Sequence, residues 1–259
     1  MAIRHICELQ DNKGDSAMNY LQLKDDSTFA REEARLAEFF GEGNYVPFHA
    51  KEILQRRIPL LPGDFVAGGL QVTLPALKQL GVDGYRHDDY PASLSKYLYR
   101  NVWASSLKRI REKVEEDGEI APVFIKPLRR AKRFAGRMVG TMDDLAPLGN
   151  VGGSVEVYCS EPVRWVSEYR VPVIRGEARG CCWYDGDRST AVDMGVVGQM
   201  ARDYGKAGAP GAYCLDVGVL ETGETALVEV NDAFSVGMYE GMEAWRPAIP
   251  SCWSRGGTN

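Results

Sequence analysis

Two acidic residues and an amide recur at spacings that can gather charge at one place. Ala212-Tyr213-Cys214-Leu215-Asp216-Val217-Gly218-Val219-Leu220 reads as a strand, and after a polar break Thr225-Ala226-Leu227-Val228-Glu229-Val230-Asn231 reads as its return. If Thr222-Gly223 is a two-residue loop, Glu221 sits opposite Glu224 and counting back sets Asp216 opposite Glu229. A four-residue loop keeps that register and an odd-numbered loop breaks it. Side chains alternate along a strand, so Glu229 and Asn231 share a face and Asp216 projects from it across the pair. Like charges so placed repel unless something neutralises them. An oxygen-only set suits a hard cation such as magnesium, while a solvent-exposed acidic face is the plainer alternative.

A second feature is cationic. Val123-Phe124-Ile125 is an apolar strand that ends in Lys126-Pro127, and Arg129, Arg130, Lys132, Arg133, Gly136 and Arg137 follow. A lysine at a strand end is a point charge for a phosphate, and a basic loop can fold over the rest. A solvated loop and an RNA-contacting loop are the other two readings. The GxxxxGK[ST] phosphate loop is absent, and Gly149, Gly152 and Gly153 do not make GxGxxG. His87 beside Asp88 and Asp89 hints at a metal, but the spacing fits no ligand set, so the stretch reads as a solvated linker. The chain has no CxxC pair and three histidines, which argues against zinc. Cys159 and Cys214 read as packed strand residues, because buried thiols behave as small apolar groups.

The elements that must hold these residues fall into two kinds. Up to about residue 90 the pattern is mixed α/β. A strand is expected at 3–9, a helix at 28–40 capped by Ser27 or Thr28, and a helix at 74–80 ended by Gly81. A long helix is expected at 93–115, with Leu94, Tyr97, Leu98, Val102, Leu107, Ile110 and Val114 as its apolar stripe. Beyond Gly118 the period becomes two. Strands are expected at 122–125, 155–159, 169–174, 179–184, 212–220 and 225–230, with one helix at 192–204. Short connections at Arg175-Gly176-Glu177 and 221–224 imply antiparallel pairing, hence an α+β half. The tail from about Pro247 reads as poorly ordered.

Composition bounds the rest. The 259 residues are 44% hydrophobic and 26% charged, which excludes a disordered chain. No stretch approaches a membrane span, and the first residues lack a secretory signal, so a soluble, reduced, cytoplasmic protein with no membrane partner is expected. A net charge of -5 argues against nucleic acid as a partner.

In their order, these motifs resemble the ATP-grasp family of magnesium-dependent ligases. Phe124-Ile125-Lys126-Pro127 with its Gly/basic loop is followed by Ser160-Glu161-Pro162-Val163, then Glu168-Tyr169-Arg170, then Asp216, then Glu229-Val230-Asn231. The resemblance spans about residues 93–240 and is nearest the compact clade with two arginines and one lysine. It implies an α+β, ATP-grasp fold of two lobes clasping ATP, at 91–158 and 159–246, after a small N-terminal α/β domain at 1–90 and before a tail at 247–259. Lys126 would contact the α and β phosphates. Ser160, Glu161, Pro162 and Val163 would form the hinge and read the adenine edge, and Glu168, seven residues after Glu161, would bind the ribose. Arg170 would face phosphate or an acceptor carboxylate, and Asp216, Glu229 and Asn231 would hold Mg2+. No residue matches the family's early lysine; Arg100, with Lys96 behind it, is the substitute expected here. The implied reaction is a carboxylate–amine ligation through an acylphosphate, with ATP and Mg2+ as cofactors and small-molecule or peptide substrates. A non-catalytic nucleotide- or RNA-binding module and a phosphotransferase are the alternatives.

Overall fold

The computed structural model describes residues 17–82, 88–128, 134–234, 236–239, 242–243 and 245–249. The strand expected at 3–9, His87 and the basic residues Arg129, Arg130, Lys132 and Arg133 lie outside them. No helix among the described residues is long and apolar enough to cross a membrane.

Three sheets organise the chain. The first is parallel, in the order β2-β1-β3, from β1 (Asn19–Leu23), β2 (Val46–His49) and β3 (Phe65–Ala67). Its helices are α1 (Arg31–Phe40), α2 (Ala50–Leu54) and α3 (Leu70–Gln79). The cap of α1 is Ala30, with no side-chain bond, rather than Ser27 or Thr28; Thr28 is instead tied to Asp26 in the turn before it. Helix α3 begins four residues before its expected start and stops just before Gly81, whose φ of 75° is the left-handed conformation glycine tolerates.

Tertiary structure overrides the expected helix at 93–115. The stretch divides into a 3-10 helix (Ala92–Tyr97), β4 (Val102–Ser106) and α4 (Leu107–Asp117), which Ser106 caps through the Arg109 N–H. The stripe residues Leu94, Tyr97, Leu98, Leu107, Ile110 and Val114 are buried all the same. Their helical spacing survived the break because a strand of five residues re-entered the pattern in phase. Strand β4 joins a second, antiparallel sheet, β4-β7-β5-β6, with β5 (Glu119–Pro127), β6 (Arg137–Thr141) and β7 (Glu156–Ser160). Strand β6 has no counterpart among the expected elements. After it comes the one-turn helix α5 (Met142–Leu145), and α4 and α5 close the core of this lobe around Ile125, Val139 and Val157.

The third sheet runs β10-β8-β11-β12, with β9 (Glu177–Ala178) pairing off β8. Its strands are β8 (Trp165–Ile174), β10 (Cys182–Gly186), β11 (Ala212–Leu220) and β12 (Thr225–Asp232), crossed by α6 (Met194–Lys206). Every residue of β11 is buried, which is why it reads as an almost continuous apolar run. Tyr213, Leu215, Val217 and Val219 pack with Val197, Met200 and Ala201 of α6. On the opposite face, Ala212 and Cys214 meet Leu21, Leu36 and Phe65 of the N-terminal unit. Asp216 continues that second face and is the one charge in the strand. The segment at 245–249 is packed rather than loose: α7 (Trp245–Ala248) carries Trp245, which with Ile249 is buried in the same core. Arg246 pairs with Glu32 of α1 at 2.8 Å and binds this segment to the N-terminal unit.

Candidate active site

Between the second and third sheets lies a cleft of about 1220 Å³. Arg100, Lys126, Ser160, Glu161, Pro162, Val163, Glu168, Arg170, Glu229 and Asn231 all line it. Asp216 alone among the expected residues stands behind the wall, at 2% exposure.

Strands β8, β11 and β12 are neighbours, and their registers set Arg170, Asp216 and Glu229 in one row across the sheet. Arg170 donates through Nε at 2.8 Å and Nη2 at 2.6 Å to the two oxygens of Asp216, a bidentate pair. The Asn231 amide donates to both Asp216 and Glu229, at 2.9 Å each. Burial pushes Asp216 up to about 6 against the pull of Arg170. The repulsion expected between the carboxylates is therefore relieved by side chains of the protein, Arg170 on one and Lys126 on the other. Among the described residues no three His, Cys, Asp or Glu groups converge on a metal position. The set is two carboxylates and an amide, all oxygen donors, and that chemistry fits magnesium.

Lys126 leaves β5 opposite Tyr158 and reaches across the cleft. Its ammonium pairs with Glu229 and, at 2.5 Å, with Asp89. It lies 4.5 Å from the centre of the Tyr90 ring. Burial disfavours the charge, but Glu229, Tyr90 and Asp89 outweigh it and hold the ammonium well above the ordinary lysine range. Asp89 and Tyr90 come from the stretch read as a solvated linker. Asp89 is 7% exposed, so that reading fails at the residues that matter. A pair of acidic residues before a tyrosine and a proline carries no local mark of burial; only the fold brings Lys126 to it.

Arg100 is not on a helix. It follows the 3-10 segment and donates to the carbonyls of Leu98, Leu227 and Val228 at 3.1, 2.9 and 2.9 Å. Its guanidinium lies over the rings of Tyr90 and Trp165, at 5.9 and 5.4 Å. Lys96 does not stand behind it, pairing instead with Asp203 of α6 at 2.8 Å. Trp165 lies flat against β11 because Gly218 has no side chain: a Cβ there would stand 2.6 Å from the Trp165 ring. Glu161 binds the Asn101 N–H and side-chain amide at 2.9 and 2.8 Å, so its carboxylate stitches the two lobes together and leaves adenine recognition to the hinge backbone. Glu168 is half-buried and accepts the Tyr184 hydroxyl at 2.7 Å; burial raises its pKa. Arg170 lies over the rings of Tyr184 and Tyr239, at 5.7 and 5.3 Å. The sequence does not single out the aromatic residues Tyr90, Tyr158, Trp165, Tyr184 and Tyr239, since each is indistinguishable there from a core residue.

Residues 97–244, more than half of the chain, match a family model described as an ATP-grasp domain, family 2 of the clade named for two arginines and one lysine. No curated protein matches the sequence. Three solved structures share its fold. A RimK domain protein ATP-grasp from Sphaerobacter thermophilus DSM 20745 is 16% identical over 92% of this chain and 99% of its own, with a TM-score of 0.51. A D-alanine–D-alanine ligase from Bacillus anthracis is 11% identical over 92% and 97%, with a TM-score of 0.55. The D-cycloserine synthetase DcsG is 12% identical over 90% and 98%, with a TM-score of 0.51. With the clasping sheets and the Lys126, Arg170 and Glu229 row already in view, the match places this chain in the ATP-grasp family, in the second family of its two-arginine, one-lysine clade.

Proposed function

We propose that the protein is an ATP- and magnesium-dependent ligase that joins a carboxylate to an amine through an acylphosphate and releases ADP and phosphate. The observation that carries this reading is the convergence of Lys126 and the Arg170-Asp216-Glu229 row on one cleft wall. A ligase and a synthetase among proteins of the same fold support a bond-forming role.

Lys126, held charged, binds the phosphates, and the backbone at 160–163 meets the adenine while Glu168 takes the ribose. Asp216, Glu229 and Asn231 would hold magnesium, which supplies charge neutralisation at the β and γ phosphates when bound. The acceptor carboxylate attacks the γ-phosphorus, the bond to the β-bridging oxygen breaks, and the amine then displaces phosphate from the acyl carbon. Arg170 is fixed by Asp216 and two tyrosine rings, so it presents a positive charge at the acceptor end with little motion left to lose. The chain's work is positioning and charge neutralisation, and no protein nucleophile takes part. The thiols fit that view: Cys159 and Cys214 are buried and burial pushes both up, Cys159 to about 11. The substrates proposed are small-molecule or peptide carboxylates and amines.

Thermal unfolding of wild type and Lys126→Ala, with and without magnesium-ATP, tests the site. A ligand at a hundred times its dissociation constant adds about 2.7 kcal/mol. For a chain of this size that raises Tm by roughly 5–10 °C. The rise is expected in wild type and lost in the variant, and ADP release on adding carboxylate and amine pairs then identifies the reaction. No rise at millimolar ATP overturns the reading.

A further inference from the structure

Asp89 is built into the cleft from both directions. Its carbonyl accepts the Val230 N–H at 2.9 Å, which fixes the segment along β12 between Glu229 and Asn231. Its carboxylate meets the Lys126 ammonium at 2.5 Å, with both side chains nearly buried. The adjoining Tyr90 packs edge-on against Tyr158 of β7, with ring centres 4.9 Å apart, and its own ring faces Lys126. Leu94 and Tyr97, just downstream, are buried against the third sheet, and the Tyr97 hydroxyl is held by Asp203 at 2.7 Å. The position of Asp89 is therefore imposed by backbone pairing and aromatic packing as well as by the ion pair.

A carboxylate beside a phosphate-binding lysine works against anion binding unless it has another use. Lys126 shares its charge between Asp89 and Glu229, and Glu229 is also wanted by the metal. An ammonium has three donors, of which these two carboxylates engage two. We propose that Asp89 is a positioning residue that retains Lys126 at the cleft wall, so that Glu229 can be given up to magnesium without the ammonium following it. Asp89 takes no part in the bond-making steps and acts through Lys126. The inference rests on the ATP–magnesium reading of the same cleft.

Asp89→Asn separates this role from a structural one. With Asp89 neutral, Glu229 is the sole carboxylate facing Lys126, and magnesium must compete harder for it. Nucleotide binding is read by thermal shift with ADP, first without metal and then across a magnesium titration. The magnesium midpoint is expected to rise about fivefold or more, the scale of an ordinary coupling between two sites. Metal-free ADP binding is expected not to weaken, because an anion has been removed from beside the phosphates. A merely structural loss would weaken both. Asp89→Glu, which keeps the anion, restores most of the wild-type midpoint. The smaller and equally uncharged Asp89→Ser is read in the same way if the Asn variant does not unfold cooperatively. A wild-type shift with an unaltered magnesium midpoint in the neutral variants overturns the role of Asp89 alone. Absence of any nucleotide shift in wild type overturns the site and this role together.

Discussion

Asp216 and Glu229 stand opposite each other across β11 and β12 because two departures from a regular hairpin cancel. Near the turn Val219 faces Thr225 and Val217 faces Leu227, and Gly223 and Leu220 close the turn by hydrogen bonds, which leaves three residues in the loop. That odd number alone would set Asp216 against Val228. A β-bulge between the Val217 and Asp216 pairings passes over Val228, and the register returns to Glu229. Arg100 holds the bulge through the Leu227 and Val228 carbonyls, so a residue expected to touch phosphate also sets where Glu229 stands.

Glu229→Gln is expected to fold and to lose turnover. Removing one partner of a buried ion pair is usually costly because the other charge is stranded. Here Asp89 still faces Lys126, so Tm should stay close to wild type. Turnover read as ADP release should drop about 100-fold or more, the scale of losing one transition-state charge partner. Near-normal turnover would end the metal role of Glu229.

Arg100→Lys keeps the charge but cannot span two carbonyls. Hydrogen bonds from a charged donor contribute about 1.5–3 kcal/mol each, so losing one should destabilise by about 2 kcal/mol. A fall of roughly 4–8 °C in Tm is expected, with weaker magnesium-ATP binding. An unchanged Tm would show that the bulge holds without the clasp.

Gly218→Ala would drive a methyl into the Trp165 ring and the Ser167 carbonyl, at 2.6 and 2.7 Å. Overpacking of this kind costs about 1–3 kcal/mol. Tryptophan fluorescence should shift as Trp165 moves, and nucleotide affinity should fall with it. Unperturbed fluorescence and affinity would show that the ring has room to yield.

Asp203 gives the sign of one pH effect. Lys96, the Tyr97 hydroxyl and the Gln199 amide hold its carboxyl well below the ordinary value of 3.8. A depressed folded pKa contributes stability that is present above the unfolded value and lost as pH falls below it. Asp203→Asn should therefore melt below wild type at pH 7, and the gap should close below about pH 4. A gap that stays constant down to about pH 3 would exclude the carboxylate as its source.

Strand alternation by itself determined the parts of the site that lie on regular strands. Lys126 at the end of β5, and Asp216, Glu229 and Asn231 on one hairpin, followed from period-two patterning, because a strand presents its side chains by position alone. The order of these residues was enough to indicate the family. Residues 93–115 show the limit, since an apolar stripe at helical spacing does not reveal that Val102-Trp103-Ala104-Ser105-Ser106 pairs with β7. The pairing energy lies in a partner strand far along the chain, at Glu156–Ser160, which local periodicity cannot register. Asp89 and Arg100 belong to the same class. One looked like a solvated linker and the other like a helix surface charge, until the fold set Asp89 beside Lys126 and Arg100 against the Leu227 and Val228 carbonyls. Tertiary structure decided these because burying a charge is unfavourable until its partner arrives, and here the partners come from distant parts of the chain.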